Sequence, residues 1–332
     1  MKWRLLILFL LPGLLVSCLI DTKPVEQNGD KSISVLRYDR LQSEYVRFSS
    51  ISALQRMNIQ YPRPTQILIE DILGLGQVSD DNINQRLLEF YSDAALLKLM
   101  EDVEEHFQDL DKHEKELNSG FRKLKREVPT LEIPKIYTQI SALNESIIVV
   151  DSLLGISLDK YMGDDYPLYQ RYYYEYQRRS MRPDRIAPDC FAFYLLANYS
   201  IPETSRRTLL DVMIHYGKIH YVTQQLLGYS SVEDIMGYSD EEKAWCKNNK
   251  KRVWEYLLSG RQLSSTDPML IRRYIWPMPY ITFFGENSPA LIGTWMGLEI
   301  VTSYMKYNKV SIKQLLETTD YEMLLTESRF NP

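Results

Sequence analysis

Residues 129–159, PTLEIPKIYTQISALNESIIVVDSLLGISLD, are where the chain stops reading as helix. Two β-rich runs stand out, 136–140 (IYTQI) and 146–150 (SIIVV), with a turn-like Leu143-Asn144-Glu145 between them. Branched and aromatic side chains suit a pleated, half-buried surface, so the segment predicts a small antiparallel sheet. Ser157-Leu158-Asp159 extends it as a further strand or the start of a helix, and 35–38 is a candidate short strand. Almost everything else is helical. Helices are expected over 41–54 and 66–73, divided by the turn-prone YPRP at 61–64. From Asp93, Leu96, Met100, Val103, Phe107 and Leu110 recur at four- and three-residue steps, which places them on one helical stripe. Leu117, Phe121 and Leu124 continue it past Gly120. Acidic residues lead and basic ones follow, as the helix dipole favours. We read a long surface helix packed on its own domain, a coiled-coil partner being the alternative, with His106 and His113 on its solvated face. Further helices are expected over 188–199 and 204–227, from the capping box Ser239–Glu242, from Ser288-Pro289 to about Asn308, and from the capping box Ser311–Gln314. The fold class is α+β, helix-dominated, with one small sheet flanked by helices. No internal repeat or domain boundary is visible.

The N-terminus sets the compartment. Lys2 and Arg4 precede the apolar run 5–16, too short for a bilayer span but the right length for a secretory leader. The leader ends in Leu15-Val16-Ser17-Cys18, an aliphatic residue and small ones before a Cys, which resembles a bacterial lipobox. Residues 1–17 are therefore expected to be a lipoprotein signal peptide and Cys18 to carry the acyl chains, palmitate among them. Residues 18–34 are polar, hold Pro24 and Gly29, and read as a tether. Residues 35–332 form one domain, lipid-anchored in the cell envelope and facing the periplasm.

Composition narrows the partners. The 332 residues carry 39 Lys+Arg against 44 Asp+Glu, a net charge of −5, where a nucleic-acid binder needs a basic surface. Three Cys are too few for a disulfide scaffold, and Cys190 and Cys246 are expected to stay unjoined.

Two constellations are candidates for chemistry. The tract YPLYQRYYYEYQRRSMRPDR at 166–185 holds six Tyr and five Arg. It can stack sugars or grip an anionic glycan, but the reading adopted is structural: Arg178, Arg179 and Arg182 are each held by carboxylates or carbonyls around the small sheet. On a helix, 178 and 182 share a face while 179 points elsewhere. The second constellation is LLDVMIHYGKIHY at 209–221. Zinc peptidases place two His four apart with Glu after the first. Here His215 and His220 are five apart, about 140° out of line, and Tyr216 replaces the Glu. A metal site through His215, His220 and Glu299 is the alternative, not the expectation. No nucleophile elbow, phosphate loop or dinucleotide fingerprint occurs.

Longer blocks carry a resemblance. Residues 151–169 (DSLLGISLDKYMGDDYPLY), 176–189 (YQRRSMRPDRIAPD), 286–305 (ENSPALIGTWMGLEIVTSYM) and 327–332 (ESRFNP) resemble the GldB-type gliding-motility lipoproteins of Bacteroidetes, over about residues 33 to 332. The resemblance implies a motif of Arg178, Arg179, Arg182 and Asp189, and a fold similar to zincin-like peptidases whose metal motif has decayed. It supplies no catalytic residue. Glu299 departs from the family pattern, where Gln is frequent. The expectation is a non-enzymatic envelope lipoprotein without cofactor, held to the membrane through Cys18, acting as an accessory or scaffold that binds another envelope protein and no nucleic acid. The alternatives are a metal-dependent envelope hydrolase and a glycan-binding lipoprotein.

Overall fold

The structure is a computed structural model, and it describes residues 33–203 and 206–332. The signal peptide, Cys18 and nearly all of the tether lie outside the described residues, as does Thr204 at the expected start of a helix. The described chain behaves as one compact unit from Ile33 to Pro332.

The expected helix 41–54 is two. Helix α1 (Tyr38–Phe48) stops where Ser49 enters the left-handed region (φ 52°), and α2 (Ile51–Gln60) restarts with the Ser50 hydroxyl accepting the Ala53 N–H. Helix α3 (Pro62–Gln66) runs into a π-helical turn, Ile67–Ile72. After α4 (Ile83–Phe90), the charged stretch likewise splits into α5 (Ala94–His106), capped by Asp93, and α6 (Asp111–Glu127). Met100, Val103, Phe107, Leu110, Leu117, Phe121 and Leu124 are buried as one stripe across both. His106 is exposed, but His113, four residues before Leu117, belongs to the stripe and is buried.

The sheet is mixed, not purely antiparallel. Strands β1 (Lys135–Gln139), β2 (Ile147–Val150) and β3 (Leu153–Ser157) lie in the order β1-β3-β2. β2 and β3 form a hairpin through Asp151 (φ 53°), and β3 then pairs parallel with β1. The central strand is the one the sequence hides. Gly155 weakens its β signal, yet glycine is required there, because a Cβ would sit 2.7 Å from the Tyr137 hydroxyl. Residues 158–160 form a 3-10 turn, and of the expected strand at 35–38 only a parallel bridge from Leu36 to Tyr137 forms before α1 begins.

The rest is helix: α7 (Pro167–Tyr172), α8 (Glu175–Arg178), α9 (Ile186–Asn198), α10 (Leu209–Leu227), α11 (Val232–Met236), α12 (Asp240–Ser259), α13 (Pro268–Ile275), α14 (Ile292–Tyr307), α15 (Ile312–Glu317) and α16 (Tyr321–Ser328). Capping boxes open α12 and α15 as the sequence reads, and a third, Thr208 with Asp211, opens α10. Ser288 does not cap α14. Its hydroxyl donates to Gly285 O in a preceding turn, and the helix begins after Leu291, at φ 60°. Helices α10 and α14 cross at Gly217 and Gly297, where backbone meets backbone: a Cβ on Gly297 would lie 1.8 Å from Met213 O. Cys190 on α9 and Cys246 on α12 are buried free thiols.

Candidate functional site

The tyrosine–arginine tract divides into a frame and a cleft. The frame centres on Asp159, fully buried just after β3. Its carboxylate accepts the N–H groups of Ser141 (2.9 Å) and Leu143 (2.6 Å), fixing the link after β1 where Ala142 and Leu143 both have positive φ. The Tyr169 hydroxyl donates to Asp159 O and accepts the Met162 N–H (3.0 Å). Tyr173 donates to Leu143 O (2.8 Å), Tyr166 to Asp102 (2.8 Å) and Tyr161 to Asp189 (3.0 Å). Burial raises the Asp159 carboxyl above its ordinary value and Asp189 to about 6, with Arg185 opposing the rise at Asp189. These tyrosines hold backbone and carboxylates in place, which leaves Tyr172 and Tyr174 as the exposed ones.

The arginines line a cleft of about 480 Å³. Helix α8 is a single turn, so the azimuths of a longer helix do not apply, and Arg178, Arg179 and Arg182 reach the same cavity. One wall carries them with Asp164, Asp165 and Glu175, and the other carries Ser239, Glu241 and Glu242 at the start of α12. Arg179 joins the walls by pairing with Glu242, and its other amino group meets Glu175 at 3.4 Å. Glu242 serves twice, since its second oxygen accepts the Ser239 N–H (2.9 Å) and so caps α12. Arg178 donates to Asp164 O (2.7 Å), while its buried Nε–H finds no acceptor among the described residues. Arg182 pairs with Asp184 at 3.0 Å. A second cavity of about 640 Å³ continues past Arg179 and Glu242 to Trp245, Asn248, Pro279 and Glu286. The arginines have carboxylate and carbonyl partners around a half-open cleft that no residue of β1, β2 or β3 lines. Arg179 keeps 45% of its side chain exposed while Glu242 keeps 10%, so the pair has one open and one buried member. The second wall was readable only as a helix cap, because nothing local marks Glu242 as the partner of a residue 63 positions away.

The family model for "Gliding motility protein GldB" matches residues 21–332. The chain belongs to the GldB family. No curated protein and no solved structure matches it. Of the stretches on which the resemblance rests, 151–169 lines the first cavity, 286–305 the second, and 176–189 both.

In this GldB-family chain the peptidase-like positions are dispersed. His215 is buried, with Nδ1 at 3.1 Å from the Tyr321 hydroxyl on α16 and Nε2 unpartnered among the described residues. Burial, with Lys218 and Arg207 nearby, holds its pKa down at about 4. His220, on a different face of α10, is half-buried and also held to about 4, by burial and then Arg185. Glu299 pairs with Lys250 on α12 at 2.5 Å. Among the described residues no three His, Cys, Asp or Glu side chains converge to hold a metal. Burial lifts both thiols far above the ordinary range. Lys218 is also buried, its ammonium held by Leu316 O (3.2 Å) and Thr318 O (2.5 Å) and its pKa lowered to about 8 by desolvation.

Proposed function

We propose that this chain is an envelope lipoprotein related to the gliding-motility machinery, anchored through Cys18, that acts without catalysis by binding a segment of another envelope protein in the Arg178–Glu242 cleft. The cleft carries the reading. It offers both signs of charge at fixed positions, a buried guanidinium N–H without an acceptor among the described residues, and an aromatic and amide-lined extension at Trp245 and Asn248. Such a surface suits a polar peptide bearing both charges better than a purely anionic glycan. Complementary charges of this kind set specificity and register more than raw affinity.

The test is recovery of partners from the native envelope with lipidated protein. Arg179→Ala is expected to reduce recovery of the specific partner about tenfold or more, as loss of a charged contact at an interface does. Its stability loss should be about 1–3 kcal/mol, because Arg179 is half exposed but Glu242, 10% exposed, is left with the Ser239 N–H alone. Full recovery with Arg179→Ala would remove the cleft from the proposal. Tightly bound stoichiometric zinc lost on His215→Ala would favour the metallohydrolase, and a glycan-array signal abolished by Tyr174→Ala would favour the glycan binder.

Anchorage has its own prediction. Among the described residues no helix is long and apolar enough to cross a membrane. Cys18→Ala is expected to abolish lipid attachment and to release or misprocess the protein, so that it does not stay with the membranes through a high-salt wash. Retention through that wash would mean the anchor lies elsewhere.

A further inference from the structure

Helix α13 buries one face and leaves a chemically distinct one outside. Tyr274 and Ile275 are 2% and 4% exposed, whereas Met269 and Trp276 are 67% and 57% exposed. Met269, Arg272, Arg273 and Trp276 follow an i, i+3, i+4, i+7 spacing, so they form one solvent-facing stripe. The loop that follows exposes Tyr280 and Phe283 as well. Its parts are held in place. The Arg272 guanidinium lies 5.6 Å from the Trp276 ring, Phe283 stacks on Tyr256 at 3.7 Å, and Arg252 both covers the Phe283 ring and donates to Phe283 O (3.2 Å). Phe284, buried against Trp245 and Tyr256, pins the loop from beneath.

We propose that this face is a lipid-docking surface for an anionic bilayer. Residues 268–285 (PMLIRRYIWPMPYITFFG) contain two Arg and no Asp or Glu, in a chain where acids outnumber bases 44 to 39. Exposed Trp, Tyr, Phe and Met beside Arg match the acyl–headgroup boundary, where aromatic rings settle and guanidinium groups reach the phosphates. The chain's own geometry supplies the bilayer. The folded unit begins at Ile33, whose N–H donates to Asn118 on α6 (2.6 Å), fifteen residues on from Cys18. Fully extended, that span reaches about 50 Å, so an anchored domain stays within a domain's width of the membrane. This proximity rests on the proposed anchorage, whereas the chemistry of the face does not.

The test uses the full mature chain with Cys18→Ala, which removes the anchor, and sedimentation with vesicles of phosphatidylcholine alone or with phosphatidylglycerol added. Binding is expected only to the anionic vesicles, with a blue shift of the tryptophan emission that Trp276→Ala loses. The double variant Arg272→Gln with Arg273→Gln should weaken it about thirtyfold, and Trp276→Ala about tenfold. All these positions are exposed, and an unchanged melting temperature will show that the fold is intact. Absence of binding, or equal binding by the variants, overturns the proposal. So does a Trp276→Ala protein that keeps its vesicle affinity but no longer recovers an envelope protein, because the face is then a protein interface. None of these outcomes depends on the Arg179 experiment, so each proposal can fail alone.

Discussion

Gly297→Val is expected to abolish cooperative folding, or to lower the melting temperature by about 10 °C or more. Its Cβ would fall 1.8 Å from Met213 O and 2.4 Å from Met213 C, and the reciprocal Cβ on Gly217 would fall 2.4 Å from Gly297 C. These atoms are helix backbone and cannot rotate aside as a flexible side chain can. The only relief is to move α10 from α14, and both are lined there by Trp295, Met296, Leu298, Met213 and Ile214, all fully buried. Separating close-packed surfaces of that kind costs about 4–5 kcal/mol or more, a large part of the roughly 5–15 kcal/mol that holds a domain folded. Gly228→Ala is the contrast. Gly228 ends α10 at φ 77° with nothing within 4 Å, so only the left-handed conformation is penalised, by about 1 kcal/mol. Thermal melts followed by circular dichroism will order the two. A Gly297→Val protein melting like the Gly228 variant would show that the crossing tolerates separation.

The second large effect is an acid sensitivity centred on His215. In the unfolded chain its ring titrates near 6.5, and in the folded chain near 4. The folded state therefore binds fewer protons between these values. The stability contributed by the neutral ring is complete above pH 6.5 and is lost as pH falls towards 4, amounting to about 3 kcal/mol. His220 acts in the same direction over the same window. Asp189 acts in the opposite one: its raised value near 6 contributes stability at low pH that is lost as pH rises from 3.8 through 6. A difference measurement isolates His215. Gln in its place keeps a polar group for the Tyr321 hydroxyl and does not titrate. The stability advantage of wild type over His215→Gln, from urea melts, should therefore shrink by about 3 kcal/mol between pH 7 and pH 4. A constant advantage would mean that the ring is hydrated and titrates normally in the folded protein.

The parts of this protein legible in its sequence are those decided within a few residues. The boxes Ser239–Glu242 and Ser311–Gln314 close their own hydrogen bonds three positions apart, and the stripe from Met100 to Leu124 follows from helical periodicity. The five-residue gap between His215 and His220 already separates their azimuths on α10. Elements decided by distant partners were not legible. β3 looks like an interrupted apolar run until Tyr137 occupies the space above Gly155. The single expected helices over 41–54 and 93–124 break where a left-handed Ser49 and the loop at 107–110 turn the chain to cover the core. Arg179 and Glu242 meet across the cleft only because α8 is one turn long and α12 starts opposite it. Periodicity and capping are local energies and are written into neighbouring residues. A shared strand edge, a glycine crossing and a two-walled cleft are contacts between residues far apart in the chain, and the fold has to form before they exist.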